Sequence, residues 1–350
     1  MRGQFFALGL IFASASLNLQ YAYATTLEGN HPESINATVT QNTTSANEAM
    51  WQMLEKAAVA ARALSYQGIF TYQTSQQSKS VQITHYFNGQ GEFSRNVVLD
   101  AAPREVFSQG GDLVIFSPRN EKVVIEKRRG QNMFPAVLPT NLSTVRENYT
   151  LRTGDIERVA GRLAQMIYLE PKDNLRYSYR FWVDSEYGLL LKSAMVNHHN
   201  ETMEQIGFVQ LSLLDKVDLD WFVPIIDSKK NYVMEEDPPV AIVEKSGNIT
   251  QKIEWTLKDL PQGYRKVDQT QRMVHGKLTP VTHVIFSDGL ASVSLFIEPV
   301  MKGVKPKTGH MLVANTSFHA SVNHGYQITV VGEVPEATAA QIASAVSFKK

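Results

Sequence analysis

Catalytic signatures were sought first, and the chain carries none of the common ones. The hydrolase elbow G-x-S-x-G, the zinc motif H-E-x-x-H and the phosphate-binding loop are absent. Gly89-Gln90-Gly91 lacks the third glycine of a dinucleotide loop and leads into a strand-like segment. No cysteine is present, which excludes thiol catalysis and zinc-thiolate sites. The sequence places no nucleophile, base and orienting group together, so we expect neither enzymatic activity nor a cofactor.

Two polar segments could imitate metal sites. His198 and His199 are adjacent in a polar turn, where histidines are usually solvated. Segment 215–248 is rich in carboxylates, but it lacks the spacing and the glycine of a calcium-binding loop. We therefore interpret its acids as solvated and predict no metal.

Aromatic residues that alternate along several predicted strands suggest a different chemistry. Such a set can line an apolar cavity for acyl chains, or it can simply fill a core, and the residues alone favour the core. The candidate lining residues are Phe70, Tyr72, Phe87, Phe93, Phe107, Phe116, Tyr179 and Phe181. The cations Lys127, Arg128 and Arg129 could contact lipid phosphates at the rim of such a cavity, or form a solvated loop.

The elements that must position these aromatics are mostly strands. Short polar or glycine-containing connections separate four candidate strands, at 158–169, 175–183, 189–196 and 203–213, and so predict an antiparallel meander. A helix is predicted over 45–64, where Ser45 and Glu48 form a capping box before an apolar stripe. Between the helix and the meander the pattern predicts strands at 69–74, 80–87, 93–99, 104–108, 113–116 and 122–127, then an irregular stretch at 130–148.

The expected architecture is mainly β with helices. The N-terminal part is predicted to be a curved antiparallel sheet or open barrel under a covering helix. The C-terminal part is predicted to be a smaller antiparallel sheet covered by one helix at 335–346. Its candidate strands are 252–258, 264–274, 281–286, 291–299, 311–319 and 326–332.

The ends and the composition indicate an exported protein of two domains. Residues 1–24 have the basic start, apolar run and Ala22-Tyr23-Ala24 site of a cleaved signal peptide. A polar leader, predicted to be disordered, follows at 25–46. We expect one domain at 47–214 and another at 249–350, joined by the acidic, proline-bearing connector 215–248. Lys and Arg together number 34, as do Asp and Glu, and this balance argues against nucleic-acid binding.

Many spaced segments resemble one known family. They include Arg158 to Gln165 (RVAGRLAQ), Tyr179 to Trp182 (YRFW) and Gly188 to Ser193 (GLLLKS). Others are Ser65-Tyr66-Gln67-Gly68, Leu99 to Val106, Phe134-Pro135, Leu138-Pro139, Leu260-Pro261, Gly263-Tyr264, Ser287 to Leu290, Val330 to Glu333 and Pro335. Together they resemble the RseB/MucB family of periplasmic regulators of the sigma-E envelope-stress response, over roughly residues 50 to 347.

The resemblance carries expectations about fold and function. It implies an N-terminal domain similar to the lipoprotein-carrier fold, an unclosed barrel whose helices plug a hydrophobic cavity, and so favours the lipid interpretation of the aromatics. It implies that the protein binds the periplasmic segment of an RseA/MucA-like transmembrane anti-sigma factor and shields it from proteolysis. The contact would be made by the anti-sigma-binding domain at residues 249–350, by the interface between the domains, or by both. Lipopolysaccharide or mislocalised lipoprotein would release the partner. The alternative is a periplasmic lipid or lipoprotein carrier. A homodimer is also possible.

Overall fold

A computed structural model describes residues 33–100, 104–109, 112–117, 122–127, 133–223, 233–236, 255–272, 280–301 and 303–348. The predicted signal peptide, the first part of the leader, Arg128, Arg129 and much of the connector lie outside the described residues. Within the described residues, no helix is long and apolar enough to cross a membrane.

The first helix is longer than predicted. Helix α1 spans Glu33–Ala63, so it includes 33–46 of the stretch predicted to be a disordered leader. No glycine or proline lies between Glu33 and Ser45 to end a helix there, and Ser45 therefore lies inside α1 instead of capping it. Glu48, the other half of the predicted capping box, instead accepts two hydrogen bonds from Arg146, at 2.9 and 3.0 Å.

Twelve strands of the described residues form one large sheet. They are β1 (Tyr66–Thr74), β2 (Ser78–Phe87), β3 (Glu92–Val98), β4 (Glu105–Gln109), β5 (Asp112–Ser117), β6 (Lys122–Lys127), β7 (Tyr149–Val159), β8 (Arg162–Pro171), β9 (Ser178–Asp184), β10 (Leu190–Val196), β11 (Thr202–Leu213) and β12 (Val233–Glu236). Their order is β12-β6-β5-β4-β3-β2-β1-β11-β10-β9-β8-β7. The end strands do not pair with each other, so the sheet is unclosed, as predicted.

Two meanders meet at the centre of this sheet. Strands β1–β6 and β7–β11 are each consecutive, and β1 joins them by pairing antiparallel with β11 from Tyr66↔Leu213 to Thr74↔Glu204. The short helix α2 (Ser143–Asn148) connects the meanders. Only β12 pairs in parallel, with β6. Before β12, a 3-10 helix at Leu219–Phe222 lies against the sheet, where the ring of Phe222 is 5.9 Å from that of Phe93.

One predicted strand of the meander is divided in the structure. Ala160 and Gly161 have φ of 49° and 79°, and they form the turn between β7 and β8. Positive φ at both central residues is typical of a two-residue hairpin turn. The prediction of a single strand over 158–169 was therefore wrong. The hairpin partner, β7, was missed.

The main core lies between α1 and one face of the large sheet. Leu54, Ala57, Ala58 and Ala61 of α1 are almost fully buried. They belong to one apolar cluster with sheet residues such as Phe70, Ile83, Ile167, Leu169 and Phe181. Burying a Leu, Ile or Phe side chain contributes about 1.5–3 kcal/mol, so Leu54 and the large sheet residues that α1 covers are a major source of stability.

The C-terminal residues form a smaller antiparallel sheet. Its strands are β14 (Arg265–Arg272), β15 (Val281–Ser287), β16 (Ser292–Pro299), β17 (Gly309–Val313), β18 (Thr316–Asn323) and β19 (Tyr326–Gly332), in the order β14-β15-β16-β19-β18-β17. Two short strands, β13 (Trp255–Leu257) and β20 (Val346–Phe348), pair separately. Helix α3 (Glu336–Ser344) covers the sheet through Ala339 and Ile342, as predicted. The strand predicted at 311–319 is instead the β17–β18 hairpin, which turns at Ala314 with φ 54°.

Candidate functional site

The eight candidate lining residues are divided between the two faces of the large sheet. Side chains alternate along a strand, and the register carries this alternation from strand to strand. Phe70, Tyr72, Phe87, Tyr179 and Phe181 lie on the face that packs against α1. Phe93, Phe107 and Phe116 lie on the opposite face, because Ser94 and Ser108 take the α1 side of β3 and β4. The eight residues therefore do not line one cavity.

On the α1 side, the aromatic rings pack against one another. The ring centroid of Phe70 lies 5.2 Å from that of Phe134 and 6.2 Å from that of Phe208. Phe181 is 1% exposed and stacks on Tyr179 at 5.8 Å. Burial raises the pKa of Tyr179 well above its usual range. These rings form a filled core, and an acyl chain could enter only by displacing some of them.

A polar pocket adjoins this core, beside the end of α1. His85, Ser94, Asn96 and Ser108 line it, together with the segment Met133 to Ala136. Nδ1 of His85 donates a hydrogen bond to the carbonyl of Leu64 at 2.8 Å. Nε2 lies 3.7 Å from Glu92 Oε2 and makes no hydrogen bond within the described residues. The pocket holds about 30 Å³, room for one water-sized polar group.

On the opposite face, Phe107 and Phe116 form a small cluster with Val123. The guanidinium of Arg95 lies 5.5 Å from the ring of Phe107, and it also forms an ion pair with Glu105 at 2.8 Å. The Arg95 guanidinium therefore lies at one side of this cluster. A lipid-binding role for the aromatics of either face stays a prediction.

Of the predicted headgroup contacts, only Lys127 falls within the described residues. It ends β6, where the register places it opposite Asp112 of β5. Arg128 and Arg129 lie outside the described residues. Contact of these cations with lipid phosphates stays a prediction.

A buried arginine joins the large sheet to the C-terminal sheet. Arg176, just before β9, is 1% exposed, and its Nε donates to Asp288 Oδ2 at 2.9 Å. Its Nη1 donates to Asp173, and its Nη2 to the carbonyl of Gln262. The guanidinium also lies 5.1 Å from the ring of Tyr264. The guanidinium therefore connects the segment before β9 with Asp288 and Gln262 of the C-terminal residues.

A second contact between the sheets is built from carboxyl groups. Tyr72 Oη donates to Glu204 Oε2 at 2.9 Å. The amide of Asn315, in the β17–β18 turn, donates to Glu204 at 2.5 Å and to Glu333 at 3.2 Å. Desolvation and the nearby Glu204 carboxylate raise the pKa of Glu333 to about 7. Burial likewise raises the pKa of Glu204. The protonation of Glu333, and with it the charge at this contact, therefore changes with pH near neutrality.

Sequence patterns did not indicate these junction residues. Arg176 falls within the predicted strand 175–183, and Asp288 follows the predicted strand 281–286. Their positions are 112 residues apart, so no local period relates them. The one available signal concerned Asp288, which lies within Ser287 to Leu290, a segment that carries the family resemblance, whereas Arg176 lies outside those segments.

Comparison with known proteins settles the family. The model of the MucB/RseB N-terminal domain matches residues 49–226, and that of the MucB/RseB C-terminal domain matches residues 250–347. The chain belongs to the MucB/RseB family. Its relatives include the sigma-E factor regulatory protein RseB of Haemophilus influenzae, which is 26% identical over 85% of this chain and 91% of its own length. The sigma factor AlgU regulatory protein MucB of Pseudomonas aeruginosa is 28% identical over 83% and 88%.

Solved structures of this family share the fold. The complex structure of Pseudomonas aeruginosa MucA/MucB matches with a TM-score of 0.67 and 25% identity, over 85% of this chain and 98% of that chain. A crystal structure of MucB matches with a TM-score of 0.59 and 25% identity, over 85% and 97%. The match spans both the large and the small sheet of this MucB/RseB family member.

Proposed function

We propose that this protein is a periplasmic regulator of the sigma-E response that binds the periplasmic segment of a transmembrane anti-sigma factor. Bound there, it shields that segment from the first regulatory protease, and the sigma factor stays sequestered. The observation that carries the proposal is the match, over both sheets, to MucB solved in complex with MucA. The protein acts by binding, after export and removal of residues 1–24.

The proposal divides the work between two domains. Residues 47–214 carry strands β1–β11 of the large sheet and the part of α1 that packs on it, the region suited to an acyl ligand. Residues 249–350 carry the small sheet, to which we assign anti-sigma binding. Arg176 with Asp288, and Glu204 with Asn315, connect the two at short range. A change in the first domain can therefore reach the second through contacts that are already formed.

The packing of the core on the α1 side suggests how a lipid could release the partner protein. Phe70, Phe134 and Phe208 pack against one another, with the Phe134 and Phe208 ring centroids 5.0 Å apart, so an acyl chain must displace rings to bind. The ligand-bound form of the sheet thus differs from the form described here. A ligand that prefers the partner-free form must weaken partner binding by its differential affinity. Lipopolysaccharide or the acyl chains of mislocalised lipoprotein are the proposed ligands.

The test is a purified system of full-length mature protein, cognate anti-sigma periplasmic segment and its first-cutting protease. Cleavage should slow in proportion to the complex formed, and lipopolysaccharide should restore it. Because coupling is reciprocal, the anti-sigma segment should weaken lipid binding by the same factor. Protein that binds lipid but never slows cleavage would contradict the regulatory role. The alternative, a lipid or lipoprotein carrier, would then account for the open sheet and its covering helix.

A further inference from the structure

Three of the four edge strands of the two main sheets, as far as the structure describes them, are protected against pairing. An edge strand exposes unpaired backbone groups, and proteins block it with charges, bulges or short length. Strand β7 carries Arg152, Asp155 and Glu157 and a register shift after Thr153. Strand β14 carries Arg265, Lys266 and Asp268 with a similar shift, and β12 has only four residues, two of them Glu.

Strand β17, although it has only five residues, lacks both the charges and the bulge. Its sequence, Gly-His-Met-Leu-Val, contains no charged residue and no proline, and its register shows no shift. Met311, Leu312 and Val313 are 56%, 50% and 42% exposed. No other three consecutive large apolar residues of the described chain are all exposed. The edge of the C-terminal sheet thus offers both unpaired backbone and apolar side chains.

An incoming strand would find apolar contacts on both faces of this edge. Met311 and Val313 share one face, and the residue opposite Met311 on β18 is the half-buried Phe318. Leu312 lies on the other face with His310, whose Nδ1 is 3.2 Å from Glu336 of α3. Added side chains therefore contact apolar surface at alternate positions, which is the pattern of recognition by strand addition.

The size of the β17 edge indicates whether it binds a second folded copy of the protein or an extended peptide segment. Five residues of strand span about 17 Å. A stable interface between two folded copies buries about 1,200 Å² or more in total, which three side chains and one short strand do not supply. An extended segment needs only the edge itself, because backbone hydrogen bonds supply much of its affinity. Because β17 itself has no Lys, Arg, Asp or Glu, its Met311 and Val313 face also suits an uncharged, apolar segment.

We propose that β17 captures an extended, apolar segment of the partner protein by antiparallel or parallel strand addition. This inference rests on the proposed function, since it takes the anti-sigma periplasmic segment as that partner. The β17–β18 turn bears Asn315, which contacts Glu204 of the large sheet. A strand added to β17 therefore ends beside the junction through which the two sheets are coupled.

The test places a charge on the edge and compares it with the same charge elsewhere on the sheet. Met311→Lys and Val313→Lys are made in the full mature chain, because both side chains are exposed and the fold should be kept. The matched control is Val322→Lys, in the interior strand β18, on the same face as Met311 and 41% exposed. Binding of the cognate anti-sigma periplasmic segment is measured by titration calorimetry. Each edge variant should raise Kd about tenfold or more, and the control by less than about twofold.

A second measurement reads the backbone directly. Among residues 310–313, amide hydrogen exchange should slow in the wild-type complex at those whose N–H groups point away from β18, since strand addition engages them. The inference would be overturned if the wild type binds the segment and both edge variants bind it with the same Kd. It would also be overturned if these amides are not protected in the complex. Either result would leave the proposed function in place. Failure of the wild type to bind the segment would overturn both. If Met311→Lys converts a dimer of this protein to a monomer without weakening its binding of the anti-sigma segment, the edge joins two copies of the protein and the inference is wrong.

Discussion

Replacing Arg176 is the most direct perturbation of the contact between the two sheets. Arg176→Met keeps the volume of the side chain but leaves Asp288 buried without its cation. Both side chains have no exposed area, and breaking a buried ion pair from one side costs about 3–5 kcal/mol. Asp288 still accepts hydrogen bonds from the backbone of Leu290 and Ala291, at 3.0 and 2.9 Å. We therefore expect the low end, about 3 kcal/mol.

The partner change should be cheaper and the two changes should couple. Asp288→Asn leaves Arg176 with Asp173 and the Gln262 carbonyl as acceptors, so about 2 kcal/mol is expected. In the double variant neither group is left as an unpaired charge. The sum of the single losses should therefore exceed the double loss by about 1–3 kcal/mol.

Urea unfolding of the full chain, followed by circular dichroism and tryptophan fluorescence, measures these losses. The matched control is Arg152→Met, which removes an exposed pair with Glu170 and should cost less than about 1 kcal/mol. Because Arg176→Met removes a contact between the sheets, the unfolding curves recorded by circular dichroism and by tryptophan fluorescence should no longer coincide in this variant. A loss no larger than that of the control, with coincident transitions, would refute a stabilising role for this contact.

Two further predictions concern the carboxyl contact and the lipid site. The pKa of Glu333 is about 7, above its ordinary 4.5, so the stability it contributes is present at low pH and is lost as pH rises through about 7. The carboxyl group of Glu333 is desolvated but the residue as a whole is exposed, so Glu333→Gln should flatten that decline by no more than about 1 kcal/mol. Urea unfolding at several pH values checks this, and an unchanged decline contradicts the assignment. For the lipid site, Phe70→Leu should weaken the binding of a fluorescent acyl probe. Phe116 is also buried but lies on the opposite face, so Phe116→Leu should leave probe binding unchanged. Both should cost about 1.5 kcal/mol of stability or less, and equal loss of probe binding would contradict an acyl site on the α1 side.

Strands were predictable where alternation and turn residues agree. Gly188 and the turn at 197–200 bound β10 and β11 as expected, within a few residues. The hairpin at Ala160-Gly161 was missed because Ala is unusual at positive φ, and the strand pattern continues through it. In β17–β18 the apolar run Met311 to Val313 likewise continued into the next strand without a glycine.

The candidate site was predictable in composition but not in arrangement. An aromatic residue fits either face of a pleated strand, and the face is fixed by register with neighbours far along the chain. Phe107 shares its face with Arg95 because Arg95↔Phe107 pair across β3 and β4. The junction was less predictable still. Glu204, Asn315 and Glu333 come from three separate elements, and nothing local marks a polar residue that meets another sheet.

The pairing of β1 with β11 also sets an order of assembly. Strand β1 is synthesised early, yet one of its two edges stays open until residues 202–213 have followed. Such non-local pairing must meet the cost of closing a long loop before its contacts are gained, so it is slow. The meander β7–β11 needs only short loops and should form first. It would then close onto β1 as one unit, and a protease acting before that step would find one edge of β1 still unpaired.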